Sequence, residues 1–146
     1  MYKESEIIAM QQEAAALKLK FPAEFLQLPP SELARIANGY GPERWPESMR
    51  KILNWIFRYY PTPAAIHDLR YEFSDGREPT RRAADAEFAA NLRIVWKNKY
   101  AFGCWINPLA WYAAIKLHTA VALTREFGRR AWLDSWRRHR KEAGEI

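Results

Sequence analysis

Two short segments carry residue types that could do chemistry: His67-Asp68-Leu69-Arg70-Tyr71 and Ala84-Asp85-Ala86-Glu87-Phe88. In a helix, residues four apart share a face, so His67 and Tyr71 project together. Asp68 lies about 100° around from His67. On the second segment the apolar stripe runs through Phe88, Ala89, Leu92, Val95 and Trp96, and Asp85 falls on that stripe. A carboxylate on an apolar face is costly without a partner, and His67 and Tyr71 are the partners this sequence offers. A histidine held by a buried carboxylate is poised as a general base, because the carboxylate fixes its tautomer and stabilises the imidazolium. The same three side chains serve equally as a structural hydrogen-bond cluster tying two helices together.

Asp68, on a different face from His67, would be free to bind a hard cation. Calcium takes six to eight oxygens, so one carboxylate would need loop carbonyls and waters beside it. The run Asn38-Gly39-Tyr40-Gly41-Pro42 is where such carbonyls could come from. Gly39 and Gly41 permit positive φ and let backbone carbonyls converge. The bland alternative is a plain turn between two helices.

The two chemical segments meet only if the chain reverses between them. Residues 72–80 are rich in turn formers, with Ser74, Asp75, Gly76 and Pro79. A reversal there gives an antiparallel helix hairpin. His67 then stands roughly 9 Å before the turn and Asp85 roughly 7 Å after it, at ~1.5 Å per residue, so the side chains sit abreast.

The remaining elements also read as helical. Residues 3–20 form a first, Ala-rich helix, and residues 23–28 a short one that stops at Pro29-Pro30. Ser31 is an N-cap for a helix over 32–37. Residues 47–58 carry Met49, Ile52, Leu53, Ile56 and Phe57 on one side. Thr62 and Pro63 read as cap and first position of the His67 helix, and Thr80 starts the Asp85 helix, which runs to about Lys97. A loop over 98–106 follows, holding Gly103 and Cys104. Asn107-Pro108 then opens a long apolar helix to about Thr124. Gly128 is expected to kink or split it before a basic helix over 131–141. No strand alternation, internal repeat or low-complexity segment stands out, so the fold class is all-α: a single domain over 1–146, with N-terminal helices (1–37), a glycine loop and helix pair (38–100), and a C-terminal helical part (107–146).

The chain's 146 residues allow one core that buries roughly 68–70% of the unfolded surface, without disulfide or metal. A single cysteine, Cys104, excludes an internal disulfide framework, and with no second cysteine or histidine near it in sequence it reads as a packed thiol. The charged start lacks a signal-peptide core, and no apolar run approaches the ~18 residues of a membrane span. A cytoplasmic location is therefore expected. The net charge of +6 favours anionic partners, either phospholipid surfaces or nucleic acid, although no nucleic-acid-binding fingerprint is present. Arg129, Arg130, Arg137, Arg138, Arg140 and Lys141 lie near Trp132 and Trp136. That combination suits an anionic headgroup layer or a phosphate backbone; the plainer reading is a solvated charged face with both indoles packed inward. Seven tryptophans also make a homo-oligomer interface an option.

His-Asp-x-x-Tyr, followed after a hairpin by Ala-Asp-x-x-Phe, resembles the catalytic helix pair of the phospholipase A₂ superfamily, above all its disulfide-free viral and bacterial forms. The chain is also similar to a group of small phage and prophage proteins, which share an Asn-Gly-x-Gly-Pro segment (38–42 here), the His67–Tyr71 segment, Arg81 to Phe88, and a C-terminal part matching 118–121 and 127–132. Tyr40 and Ala64 depart from the cysteines common in related chains. The resemblance implies calcium-assisted phospholipid hydrolysis, with His67 as base, Asp85 orienting it, Tyr71 supporting Asp85, Asp68 on calcium, and Gly39 and Gly41 as carbonyl donors. A non-catalytic phage-derived module, with the helix pair as scaffold and the basic C-terminal helix binding a partner, is the alternative it leaves open.

Overall fold

The computed structural model describes residues 2–37, 51, 55–56, 58–100 and 106–144, and every regular element among them is helical. The elements are α1 (Glu4–Ala16), α2 (Glu24–Gln27), α3 (Pro30–Ala37), α4 (Pro61–Glu72), α5 (Glu78–Tyr100) and α6 (Pro108–Glu142). The fold is all-α, as the periodicity implies. Gly39, Gly41, Cys104 and most of the expected 47–58 helix lie outside the described residues.

Helix α1 is shorter than the composition predicts. It turns off after Ala16 because Lys18 takes a left-handed φ of 51°, with Lys18 N–H donating to Ala15 O and Leu19 N–H to Ala14 O. That paired bonding caps the last carbonyls, a role glycine usually fills. The chain is then pinned to α5: fully buried Asn91 accepts from Lys20 N–H at 2.9 Å and donates to Lys20 O at 2.7 Å. A buried amide whose donor and acceptor both find partners avoids the desolvation penalty of an orphaned one.

Three expected helix starts move. Pro29 O, not Ser31, begins α3, accepting from Glu32 and Leu33 N–H, which leaves Pro30 at the first helical position where a missing N–H costs nothing. Helix α4 starts at Pro61 with Tyr60 as N-cap, and the Thr62 hydroxyl bonds Glu13 of α1 instead of capping. Helix α5 starts at Glu78 and runs on to Tyr100, three residues past the expected end. Asn107 does cap α6, its side chain accepting from Leu109 N–H at 3.0 Å.

Gly128 does not split the C-terminal region: α6 is one helix of 35 residues. Glycine inside a helix costs roughly 1 kcal/mol relative to alanine, so some packing contact must require the missing side chain. The core fills the space between these helices with Ile7, Phe25, Leu33, Ile66, Leu69, Phe88 and Leu92. Helices α4 and α5 form the antiparallel hairpin, and α6 lies against both.

Candidate functional site

The hairpin turn decides which side chains of α4 and α5 face each other. Asp75 accepts from Arg77 N–H at 2.9 Å and from the Thr80 hydroxyl at 2.7 Å, closing the turn locally. Gly76 takes φ 73° with the Trp136 ring pressed against it, so a Cβ there would lie 2.8 Å from the indole. The Ser74 hydroxyl donates to Trp132 O at 2.8 Å, and Ser135 donates to Glu72 O at 3.1 Å. The α4 side of the turn is thus fastened to α6.

With that register, His67, Tyr71 and Asp85 meet. His67 Nε2 lies 3.2 Å from Asp85 Oδ1, and Tyr71 Oη–H donates to the same oxygen at 2.7 Å. The imidazole is clamped between Tyr71, centroid to centroid 4.3 Å, and Phe88 at 4.5 Å. His67 is 6% exposed and Asp85 7%. Asp85 accepts at Nε2, so the ring presents Nδ1 as its other face, and no described residue bonds there. Burial pushes the Tyr71 phenol up, and the Asp85 charge pushes it further, so Tyr71 is a fixed donor to the carboxylate and not a base.

Sequence reasoning missed Arg81. Its guanidinium is buried, donating from Nη1 to Asp85 Oδ2 at 2.5 Å. Its other edge grips Glu78, Nη2 to Oε1 at 2.8 Å and Nε to Oε2 at 3.0 Å. Hydrogen bonding to Glu78 raises the Arg81 pKa further, while Arg81 and Arg82 pull the Glu78 carboxyl down to about 2. The spacing carries a signal: Glu78, Arg81 and Asp85 stand at i, i+3 and i+7, one helical face.

Gly128 was also missed as a site element. A Cβ there would lie 2.3 Å from Tyr71 Oη and 3.5 Å from Arg81 Nη1. Helix α6 therefore closes over the cluster at the one position where it carries no side chain. One turn on, Trp132 packs edge-on to Tyr71 with centroids 5.0 Å apart. It is 2% exposed, and Trp136 lies on Gly76 with Arg140 over its ring. Trp132 is thus buried, while Trp136 is half-buried against the hairpin turn. Glu72 also engages Arg138 and His139 there, at 3.4 and 3.5 Å. A cavity of about 260 Å³ opens nearby, lined by Leu69, Arg70, Phe73, Ala84, Glu87 and Trp132 among others; His67 and Asp85 do not line it.

Asp68 stands apart from the cluster, half-buried on α4. Desolvation raises its pKa well above the ordinary 3.8, and Glu72 one turn along adds to the rise. No described lysine or arginine pairs with it. The native state thus holds the Asp68 proton more tightly than the unfolded chain does. Below pH 3.8 both states are protonated and the site costs nothing; as pH rises toward the folded value, stability falls. Asp68→Asn is accordingly expected to raise the melting temperature at pH 7 in chelator, with the gain shrinking toward zero near pH 3; melts across that range check it.

Comparison with known proteins adds nothing to these geometric facts: no family model, curated protein or solved structure matches the chain. Among the described residues, no group of three or more His, Cys, Asp or Glu side chains gathers as a metal site, and no helix is long and apolar enough to cross a membrane.

Proposed function

We propose that the protein is a phospholipase A₂-like ester hydrolase, of phage or prophage origin and acting on phospholipid, with the His67/Asp85 pair as its base. The observation that carries this reading is the His67–Asp85 contact at 3.2 Å, supported by Tyr71, with the second ring nitrogen left for water. His67 Nδ1 takes a proton from water as the oxygen bonds to the ester carbonyl carbon. The tetrahedral species then expels the glycerol oxygen, which receives that proton from the imidazolium. The products are a fatty acid and a lysophospholipid. Asp85 keeps the ring oriented and balances its transient charge, and Arg81 and Tyr71 hold Asp85 in place.

Asp68 is the residue that would hold calcium, with carbonyls of Gly39 and Gly41. A desolvated carboxylate with an acidic neighbour and no described basic partner fits a hard cation. When bound, calcium supplies Lewis-acid stabilisation of the oxyanion. A ligand that binds only the native state raises its melting temperature. Calcium is therefore expected to raise the melting temperature of the wild type relative to chelator, and to leave Asp68→Ala unmoved. Equal melts of the wild type in both conditions would remove calcium from the reading.

One observation favours a scaffold reading. Arg81 already bonds the second Asp85 oxygen, and a carboxylate bonded at both oxygens ties α4 to α5 whether or not His67 turns over. In that reading the protein is a phage-derived interaction module, and His67 is dispensable for its action.

A further inference from the structure

The first half of α6 is apolar on the wrong side. Its buried face carries Ala110, Ala113, Lys116, Leu117 and Ala120, while Leu109 and Ile115 are each 60% exposed and Tyr112 is 42% exposed. Trp55, also 42% exposed, meets Tyr112 edge-on with centroids 5.5 Å apart. Exposed apolar side chains scattered singly need no explanation; a contiguous set does.

Charge distinguishes what could cover it. No Asp or Glu lies anywhere between Glu87 and Glu126, whereas Arg93, Lys97, Lys99, Lys116 and Arg125 do. That stretch is the C-terminal half of α5 and the N-terminal half of α6, joined where Trp96 Nε1–H donates to Ala110 O at 3.0 Å. Two of its ammoniums converge on one ring: Lys99 Nζ lies 4.6 Å from the Tyr59 centroid and Lys116 Nζ 4.4 Å. Lys116 is only 5% exposed; its Nζ sits 4.0 Å from the Trp55 ring and 4.6 Å from that of Tyr112 and donates to Trp55 O at 3.4 Å, beneath the exposed aromatics. Among the described residues no carboxylate pairs with Lys99 or Lys116. One end of the molecule therefore combines exposed aromatic and aliphatic side chains with an exposed lysine, Lys99, and a buried one, Lys116, whose charge lies beneath them.

We infer that this end, centred on Leu109, Tyr112, Ile115, Trp55 and Lys99, docks on the surface of an anionic phospholipid bilayer. Aromatic rings settle at the headgroup level, aliphatic side chains enter the acyl boundary, and the exposed Lys99 meets lipid phosphate. A second copy of the chain fits less well, since a two-fold contact would set the same uncompensated lysines against each other. The choice of lipid as partner rests on the proposed lipid-directed function, but docking needs no catalysis.

The test is flotation of the full chain with vesicles of phosphatidylglycerol and, separately, phosphatidylcholine, at low and high salt. The wild type is expected to float with phosphatidylglycerol at low salt, more weakly at high salt, and at least tenfold less with phosphatidylcholine. Ile115→Glu and Lys99→Glu are each expected to lose at least tenfold. Leu109→Ser provides a second apolar variant should Ile115→Glu misfold. His67→Gln is expected to float like the wild type, which separates docking from hydrolysis. Wild type that stays with the soluble fraction, or Ile115→Glu and Leu109→Ser that float undiminished, would overturn the inference. A wild-type dimer in light scattering that Ile115→Glu dissociates would overturn it too, by assigning the face to a second copy.

Discussion

Asp85→Ala is expected to destabilise the protein by about 3–5 kcal/mol, the range for removing one partner of a buried charge pair. The loss comes from Arg81 more than from His67. Alanine strands a buried guanidinium whose Nη1 had bonded Asp85 at 2.5 Å, and it also leaves the Tyr71 hydroxyl without its acceptor. Glu78 still holds the other edge of Arg81, but it is more exposed and better screened. Urea denaturation measures the change as a fall in midpoint at constant slope. A loss below about 1 kcal/mol would mean that Arg81 finds water or another partner, and that the cluster is not as dry as its geometry implies. Asp85 variants consequently report on folding before they report on catalysis, and His67 is the cleaner probe of chemistry.

Gly128→Ala is the second large effect, and its sign is diagnostic. Helix propensity alone would make alanine stabilising by roughly 1 kcal/mol at an interior position. The Cβ would instead arrive 2.3 Å from Tyr71 Oη, a contact that something must yield to. Overpacking of that kind costs about 1–3 kcal/mol, so destabilisation wins. Removing the hydroxyl removes the clash, because the next atom, Tyr71 Cζ, lies at 3.4 Å. Tyr71→Phe by itself gives up one hydrogen bond to Asp85, worth about 1 kcal/mol. In the Tyr71→Phe background, Gly128→Ala is therefore expected to be neutral or mildly stabilising. A double-mutant cycle reads this as a coupling of about 1–3 kcal/mol. Additive single effects would show that α6 does not close on Tyr71.

The helix pair was legible because its signals are local. Apolar residues at helical spacing in α5 put Asp85 on the inner face, and a turn-rich run of the right length set His67 opposite. Arg81 was harder to read. Arginine is normally a surface residue, and only the three-residue face Glu78, Arg81, Asp85 marks it as a buried clip. Gly128 failed for a different reason. A lone glycine in a helix looks like a break, and the Tyr71 hydroxyl that requires it lies 57 positions earlier in the sequence. Trp132 and Trp136 stand beside six basic residues, yet Trp132 is buried against Tyr71 and Trp136 packs half-buried on Gly76. Tertiary contact overrode local pattern at each of these places. The exposed face of α6 was hidden for the converse reason: an all-round apolar helix reads as buried, and sequence does not say which sector the bundle leaves uncovered.

The central claim is that His67 is a base for ester hydrolysis, and the most direct measurement is fatty-acid release from phosphatidylglycerol vesicles in calcium by the wild type and His67→Gln. Glutamine approximates the imidazole's length and can still donate to Asp85, so a matching circular dichroism spectrum and melt establish that the variant is folded. A general base contributes roughly 10²–10⁴-fold. Release by the wild type that falls at least about 100-fold in folded His67→Gln is the predicted result. Release at the wild-type rate by that folded variant, or none from the wild type, would contradict the account and leave the cluster as a structural clip.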